Sequence, residues 1–299
     1  MPYIGRFAPS PSGPLHFGSL VAALGSFLRA RSQQGQWLVR VEDIDPPREQ
    51  PGASQSILKT LEAHGLQWDG TVDYQSQFSA YYDALLEDLA ARELSYYCRC
   101  TRAQIKAQGG RYSGTCRTKN YGSQGSSLRF YNRSPHYQFV DQHLGLITVD
   151  ADTAAEDVII RRKDGYYAYQ LAVVADDIRQ GITEVVRGAD LLDTTPSQIA
   201  LYHALAVSPP DWLHLPVATV RPGLKLSKQN HAPAIDDRNA LYNLHQALGF
   251  LGLPVAQARD FSSIETLLKW AVANWSLSTL PARQEILWVG SGAQRGDES

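Results

Sequence analysis

The chain has 299 residues, 43% of them hydrophobic, 19% charged and 10% aromatic; this is a globular composition that excludes disorder, collagen and coiled coil. A net charge of −2 implies no partner by itself. MPYIGRFAPSPSG at the N-terminus lacks a cationic stretch leading into an apolar run, and no apolar segment reaches the roughly 18 residues that cross a bilayer. The expectation is therefore a cytoplasmic, monomeric protein of about two domains, with no membrane partner.

In chain order, residues 3–8 (YIGRFA) read as a short strand that ends in the Pro/Ser/Gly-rich turn 9–14. Leu20, Val21, Leu24, Phe27 and Leu28 follow at helical spacing. A strand follows at 37–43 (WLVRVED), then a helical stretch around Ile57, Leu58, Leu61 and His64. A second amphipathic helix carries Phe78, Tyr82, Leu85, Leu86 and Leu89. Strand, turn, helix, strand, helix is the pattern of an α/β protein with a parallel sheet. A basic, Gly/Ser-rich stretch from 95 to about 135 interrupts it as an insertion. Alternation resumes at DVIIRRK (157–163), and LPVATV (215–220) reads as one late strand. After Lys228 the pattern is helical, through Leu241, Leu244 and Leu248, then Ile264, Leu267 and Leu268; the stretch 291–299 reads as a loose tail. These changes divide the chain into a first core half (1–94), a basic insertion (95–156), a second core half (157–222) and a helical C-terminal region (223–299).

Charge is unevenly placed. Between Glu93 and Asp141 there is no acid, while Arg99, Arg102, Lys106, Arg111, Arg117, Lys119, Arg129 and Arg133 give the segment +8, leaving −10 elsewhere. Clustered cations with interleaved Tyr96, Tyr97, Tyr112, Tyr121, Tyr131 and Tyr137 suit RNA, through phosphate contacts and stacking on unpaired bases. A solvated basic face is the plainer alternative. Cys98, Cys100 and Cys116 lie within 19 positions of this segment, and three soft ligands so close suit zinc better than disulfides. Spacing alone leaves the fourth ligand open.

The turn Pro9-Ser10-Pro11-Ser12-Gly13-Pro14-Leu15-His16-Phe17-Gly18-Ser19 joins a strand to a helix N-terminus, where free N–H groups and the dipole end hold polyphosphate. His16 can donate to phosphate oxygens, and Gly18 would let a nucleotide approach the backbone. Far downstream, Lys225-Leu226-Ser227-Lys228 places two lysines around a serine, a means of holding the outer phosphates of a reacting nucleotide. Each segment taken singly also reads as an ordinary turn or a solvated loop.

Together these segments resemble the class I aminoacyl-tRNA synthetases: His16-Phe17-Gly18-Ser19 their HIGH motif and Lys225-Leu226-Ser227-Lys228-Gln229 their KMSKS motif. Ser19 and Gln229 depart from the family pattern. Arg6-Phe7-Ala8-Pro9-Ser10-Pro11-Ser12-Gly13, Arg40-Val41-Glu42-Asp43, Tyr166-Tyr167-Ala168-Tyr169-Gln170 and Arg187-Gly188-Ala189-Asp190 narrow the resemblance to the glutamyl branch. The chain ends about 70 residues after Lys228, too few for a large anticodon-reading domain, and in this it resembles the glutamyl-Q tRNA(Asp) synthetase family.

The resemblance implies a Rossmann-like catalytic core with a zinc-bearing insertion. It also implies ATP-dependent, tRNA-independent activation of L-glutamate, followed by transfer to queuosine in the anticodon loop of tRNA(Asp). It assigns catalysis to His16 and Lys228, and ATP binding to Pro9, Ser10, His16, Gly18, Ser19, Lys225, Ser227 and Lys228, with Mg²⁺ on the phosphates. Glutamate falls to Arg6, Phe7, Ala8, Pro9, Ser10, Glu42, Tyr169 and Arg187, the arginines facing carboxylates and Glu42 the ammonium. Tyr112 becomes the fourth ligand of one structural zinc ion, with water or His136 as the alternatives. The rival functions are a truncated glutamyl-tRNA synthetase acting at the tRNA 3′ end, an adenylate-forming ligase that never touches RNA, and a non-catalytic RNA-binding module.

Overall fold

The computed structural model describes residues 2–226, 232–254 and 260–288. Strand β1 (Ile4–Phe7) runs through the turn into helix α1 (Phe17–Ser32), and β2 (Gln36–Val41), α2 (Ala53–Ala63), β3 (Asp73–Tyr74) and α3 (Ser79–Ala91) follow. The insertion supplies β4 (Ser95–Cys98), α4 (Arg102–Ala107) and β5 (Ser127–Phe130), then the hairpin β6 (Gln138–Asp141) and β7 (Gly145–Thr148), then α5 (Ala151–Ala154). Next come β8 (Ile159–Arg161), α6 (Tyr169–Gln180), β9 (Glu184–Gly188), α7 (Thr195–Ala204) and β10 (Asp211–Leu215). The C-terminal region holds β11 (Val217–Arg221), β12 (Leu224–Lys225), α8 (Ala240–Phe250), α9 (Ile264–Ala273) and β13 (Glu285–Leu287).

The expected parallel α/β core is present. β1, β2 and β3 pair in parallel, as do β9, β10 and β6, with β7 antiparallel on the outer edge of β6. The two sheets meet at Ile4, whose carbonyl accepts from the Thr183 amide at 2.9 Å. Strand residues alternate between two cores, as a period of two requires. Trp37, Val39, Val186 and Leu213 pack with α1, α8 and α9 through Leu24, Leu248 and Leu267. Val185 and Trp212 pack instead with α3, α6 and α7 through Leu86, Val174 and Leu201. Strands covered on both faces are ordinarily apolar throughout, so Arg6, Arg40, Asp141, Glu184, Arg187 and His214, all buried, stand out as exceptions.

The late strand differs from its expected form. Leu215 closes β10 in the main sheet, while Val217 opens β11, which pairs with β12 and β13 in a separate small sheet. Pro216 between them has no N–H to continue a ladder, so the chain changes sheets there. The C-terminal region is accordingly not purely helical. It braces the start of α1: Trp288 stacks on Phe17 with ring centres 3.7 Å apart, Phe250 meets Phe17 edge-on, and the Ile235 amide donates to the Leu15 carbonyl at 2.9 Å. Residues 291–299, read as a tail, lie outside the described residues.

Candidate active site

A cleft of about 580 Å³ opens where β1 and β9 end, floored by the start of α1. Arg6, Phe7, Ala8, Pro9, Ser10, His16, Gly18, Ser19, Glu42, Tyr169, Arg187 and Lys225 all line it, although they come from segments as much as 219 residues apart. Ser227 and Lys228 lie outside the described residues.

The turn is fixed from both sides. Pro9 O accepts from the Glu42 amide and Pro11 O from the Gln50 amide, each at 2.9 Å. Gly13 takes φ +131°, a conformation that disfavours any side chain, with Gln50 packed against the space a Cβ would fill. His16 caps α1: its Nδ1 accepts from the Ser19 amide at 3.3 Å. An accepting Nδ1 leaves the proton of a neutral ring on Nε2, so the cap selects the tautomer with an Nε2–H donor. Gly18 lines the cleft and also sits against His16. A Cβ there would lie 3.2 Å from the His16 ring, tighter than an ordinary contact, so the glycine lets the imidazole close in over the start of α1. Lys225, at the exposed rim, donates to Asp190 at 2.5 Å.

The two arginines differ. Arg6 donates through Nε and Nη2 to both oxygens of Asp177 at 3.0 and 3.2 Å, and Arg40 Nη2 donates to the same carboxylate at 2.7 Å. Asp176 accepts from Gln75 and Tyr82, each at 2.8 Å, and from Arg179. Burial alone would raise the Asp177 carboxyl, but Arg6 and Arg40 hold it below its ordinary value. Glu42, also buried, has no such direct partner among the described residues; burial pushes its carboxyl up to about 7 against the pull of Arg40 and Arg6.

Arg187 is as deeply buried and pairs with no carboxylate among the described residues. Its Nε donates to His214 Nε2 at 3.1 Å, Nη1 to Gln198 Oε1 at 2.7 Å, and Nη2 to Thr195 Oγ1 at 2.8 Å and the Leu191 carbonyl at 3.3 Å. Burial holds its pKa below the usual arginine value, with Tyr169 beside it as the main opposing influence. A buried guanidinium surrounded by neutral acceptors is oriented but not neutralised, which suits it to receive an anionic ligand group.

Sequence reasoning missed Asp176, Asp177 and His214. Their signal was a pair of acids within the apolar helical stretch LAVVADDI and a histidine inside the apolar strand WLHLP.

In the insertion, the sulfurs of Cys98, Cys100 and Cys116 lie within 4.8 Å of one another, Cys100 and Cys116 at 3.5 Å. Zinc with sulfurs at about 2.3 Å spreads tetrahedral ligands about 3.8 Å apart, so the cluster has the right size. The Tyr112 hydroxyl accepts from the Cys116 amide at 2.8 Å, beside the Cys98 and Cys116 side chains. His136 stacks on His203 instead and is not part of the cluster. Burial and the neighbouring thiols push the Cys100 thiol up to about 12, so a thiolate cluster there calls for a cation; the donor set can hold a metal.

The +8 segment presents a narrower face than its residue count suggests. Arg111 pairs with Asp150, Arg117 with Asp157, and Arg129 is buried against the Tyr112 ring and the Asp157 carbonyl. Arg99 lies over Tyr121, and both Arg117 and Arg133 lie over Tyr131. Among the described residues, Arg102, Lys106 and Lys119 make no ion pair. The tyrosines mostly serve packing: Tyr112 is buried and Tyr96 bonds Asp157, while Tyr137 is exposed. An acid-free stretch of sequence is not an acid-free surface, because Asp150 and Asp157 return from outside it.

No helix among the described residues is long and apolar enough to cross a membrane. The family model for the catalytic domain of class I tRNA synthetases (E and Q) matches residues 4–285. The chain is 55% identical over 291 residues to the glutamyl-Q tRNA(Asp) synthetase of Shewanella amazonensis, covering 97% of this chain and 99% of that one. It is 54% identical over 280 residues to the Escherichia coli protein of that name, covering 93% and 91%. The crystal structure of glutamate-tRNA synthetase from Elizabethkingia anophelis superposes with a TM-score of 0.77 at 22% identity, covering 95% of this chain and 67% of that one, a likeness of fold. By motif, fold and full-length similarity alike, the chain belongs to the glutamyl-Q tRNA(Asp) synthetases, an enzyme family of class I aminoacyl-tRNA synthetases.

Proposed function

We propose that this enzyme activates L-glutamate with ATP, without tRNA, and transfers it to queuosine in the anticodon loop of tRNA(Asp), as the names of its relatives suggest. The observation that carries the glutamate half is Arg187, a buried cation whose partners among the described residues are neutral, facing the cleft that holds the His16-capped start of α1. The side-chain carboxylate of glutamate supplies the missing countercharge. Glutamine, with a neutral amide, leaves the guanidinium unneutralised. Glu42 receives the ammonium, Arg6 and Tyr169 add donors, and Phe7, Ala8, Pro9 and Ser10 wall the pocket.

In activation, a carboxylate oxygen of glutamate bonds to the α-phosphorus of ATP as the bond from that phosphorus to the bridging oxygen breaks, and pyrophosphate leaves with the electron pair. Positioning and charge stabilisation suffice; no protein nucleophile is needed. The Nε2–H of His16 and the free amides of α1 are the donors for this charge, with Ser10, Gly18 and Ser19 at the nucleotide and Lys225, Ser227 and Lys228 at the outer phosphates. Mg²⁺ accompanies the phosphates. Cys98, Cys100, Cys116 and Tyr112 hold one zinc ion, whose contribution is to rigidify the insertion. Arg102, Lys106 and Lys119 of that insertion contact RNA phosphates.

ATP–pyrophosphate exchange without tRNA tests the first half: glutamate should support it and glutamine should not. Incubation with tRNA(Asp) bearing or lacking queuosine tests the second. Labelling of the queuosine-free RNA at its 3′ end would overturn the acceptor assignment.

A further inference from the structure

Arg187 is held by residues that the proposed reaction does not use. His214 Nε2 accepts from Arg187 Nε at 3.1 Å, and its other nitrogen, Nδ1, donates to Asp141 Oδ2 at 2.7 Å. The same Asp141 oxygen accepts the His214 amide at 2.9 Å, while Asp141 Oδ1 accepts the amides of His143 and Leu144 at 2.9 and 2.8 Å. Both side chains are essentially without exposure, and neither lines the cleft. The three residues sit on adjacent parallel strands, with His214 opposite Arg187 and Asp141 opposite Trp212, so the chain of contacts runs across the sheet from β6 through β10 to β9.

A histidine that donates through Nδ1 and accepts through Nε2 is a single neutral tautomer. The reversed tautomer would set an N–H against the guanidinium N–H, and the imidazolium would set a cation against a cation. Asp141 excludes the first by presenting an anionic acceptor to Nδ1, and its own charge is satisfied by three backbone amides. Burial and Arg187 hold the imidazole pKa below its ordinary value, which excludes the second. His214 therefore fixes one corner of the guanidinium plane, with Gln198 and Thr195 at the others, without contributing negative charge. Gln198 is itself oriented by donating to Gln170 at 2.9 Å. A carboxylate at His214 would orient Arg187 equally well but would neutralise it.

We propose that Asp141 and His214 are positioning residues that hold Arg187 oriented and unneutralised, and so set the preference for an amino acid with a side-chain carboxylate. This rests on the assignment of Arg187 to glutamate.

Two substitutions separate the corners of the imidazole. His214→Gln keeps an acceptor at the place of Nε2, whereas His214→Asn keeps only the link to Asp141. Glutamate-dependent exchange by His214→Asn should show KM for glutamate raised about tenfold or more, the size of one hydrogen bond to a charged group, with KM for ATP unchanged and kcat within about twofold. His214→Gln should stay within about threefold of the unsubstituted enzyme. An unchanged glutamate KM in His214→Asn, equal losses in both variants, or parallel rises for ATP and glutamate would overturn the proposal. The tautomer is read without any loss of folding by ¹⁵N NMR of the imidazoles of the full chain, with His214→Gln identifying the resonance: Nδ1 should be protonated and Nε2 not, and a protonated Nε2 overturns the proposal outright. Absence of glutamate-dependent exchange in the unsubstituted enzyme would instead overturn the functional reading, leaving the tautomer to be judged by NMR.

Discussion

Arg6 and Arg187 line the same cleft, project from the same face of neighbouring strands and are equally buried, yet they are opposite kinds of cation. Arg6 shares Asp177 with Arg40, in a network that extends through Asp176 to Tyr82, Gln75 and Arg179. Its charge is answered inside the protein. Among the described residues Arg187 is answered by neutral groups, an imidazole, an amide, the hydroxyls of Thr195 and Thr194, and a backbone carbonyl. The difference teaches how a buried charge can be read: where a carboxylate meets the guanidinium the residue is part of the scaffold, and where neutral acceptors alone hold it, the anion must come from elsewhere.

That contrast is open to direct test. Asp177→Asn strips the countercharge from Arg6 and Arg40 at once and should cost about 3–5 kcal/mol of folding stability, read by denaturant unfolding; a loss below 1 kcal/mol would mean the network is not the scaffold described. Arg187→Ala removes a cation that pairs with no carboxylate among the described residues. It should lower kcat/KM for glutamate about a hundredfold to a thousandfold while ATP binding, followed by calorimetry, moves little; equal losses for both would remove its assigned role. Glu42 offers an intermediate case, a carboxylate half-neutralised by burial at about 7. Below that value it gains a proton, and on the proposed assignment the substrate ammonium then loses its partner, so KM for glutamate should rise about tenfold from pH 8 to pH 6. Glu42→Gln should abolish that slope. The smallest effect belongs to the exposed pair of Lys225 and Asp190: Asp190→Asn should change stability by less than about 1 kcal/mol, and a larger loss in thermal unfolding would show the rim to be structural.

Much of the site was legible because its signals are local. A strand, a Gly/Pro turn and a helix start are consecutive, so the turn and the helix N-terminus at His16 could be anticipated from their order, although the capping role of His16 could not, and the three cysteines lie close enough in sequence to be read as one cluster. The partner of Arg187 was not legible, since His214 reaches it from the next strand, 27 residues away. The break of LPVATV at Pro216 was visible as a proline but not as a change of sheet, which depends on β13 arriving to pair with β11.

The order of residues along the chain thus determined the alternating α/β core, the tight turn into α1 at His16, the soft-ligand cluster at Cys98, Cys100 and Cys116, and the membership of the family, because each depends on short-range geometry or on motifs in sequence. Tertiary structure alone decided the electrostatics. Whether a cation is spent or available depends on partners brought from distant segments: Asp177 to Arg6, His214 to Arg187, and Asp157 to Arg117 in the basic insertion. Coulomb interactions and burial act through space, so composition counts the charges and only the fold assigns their partners.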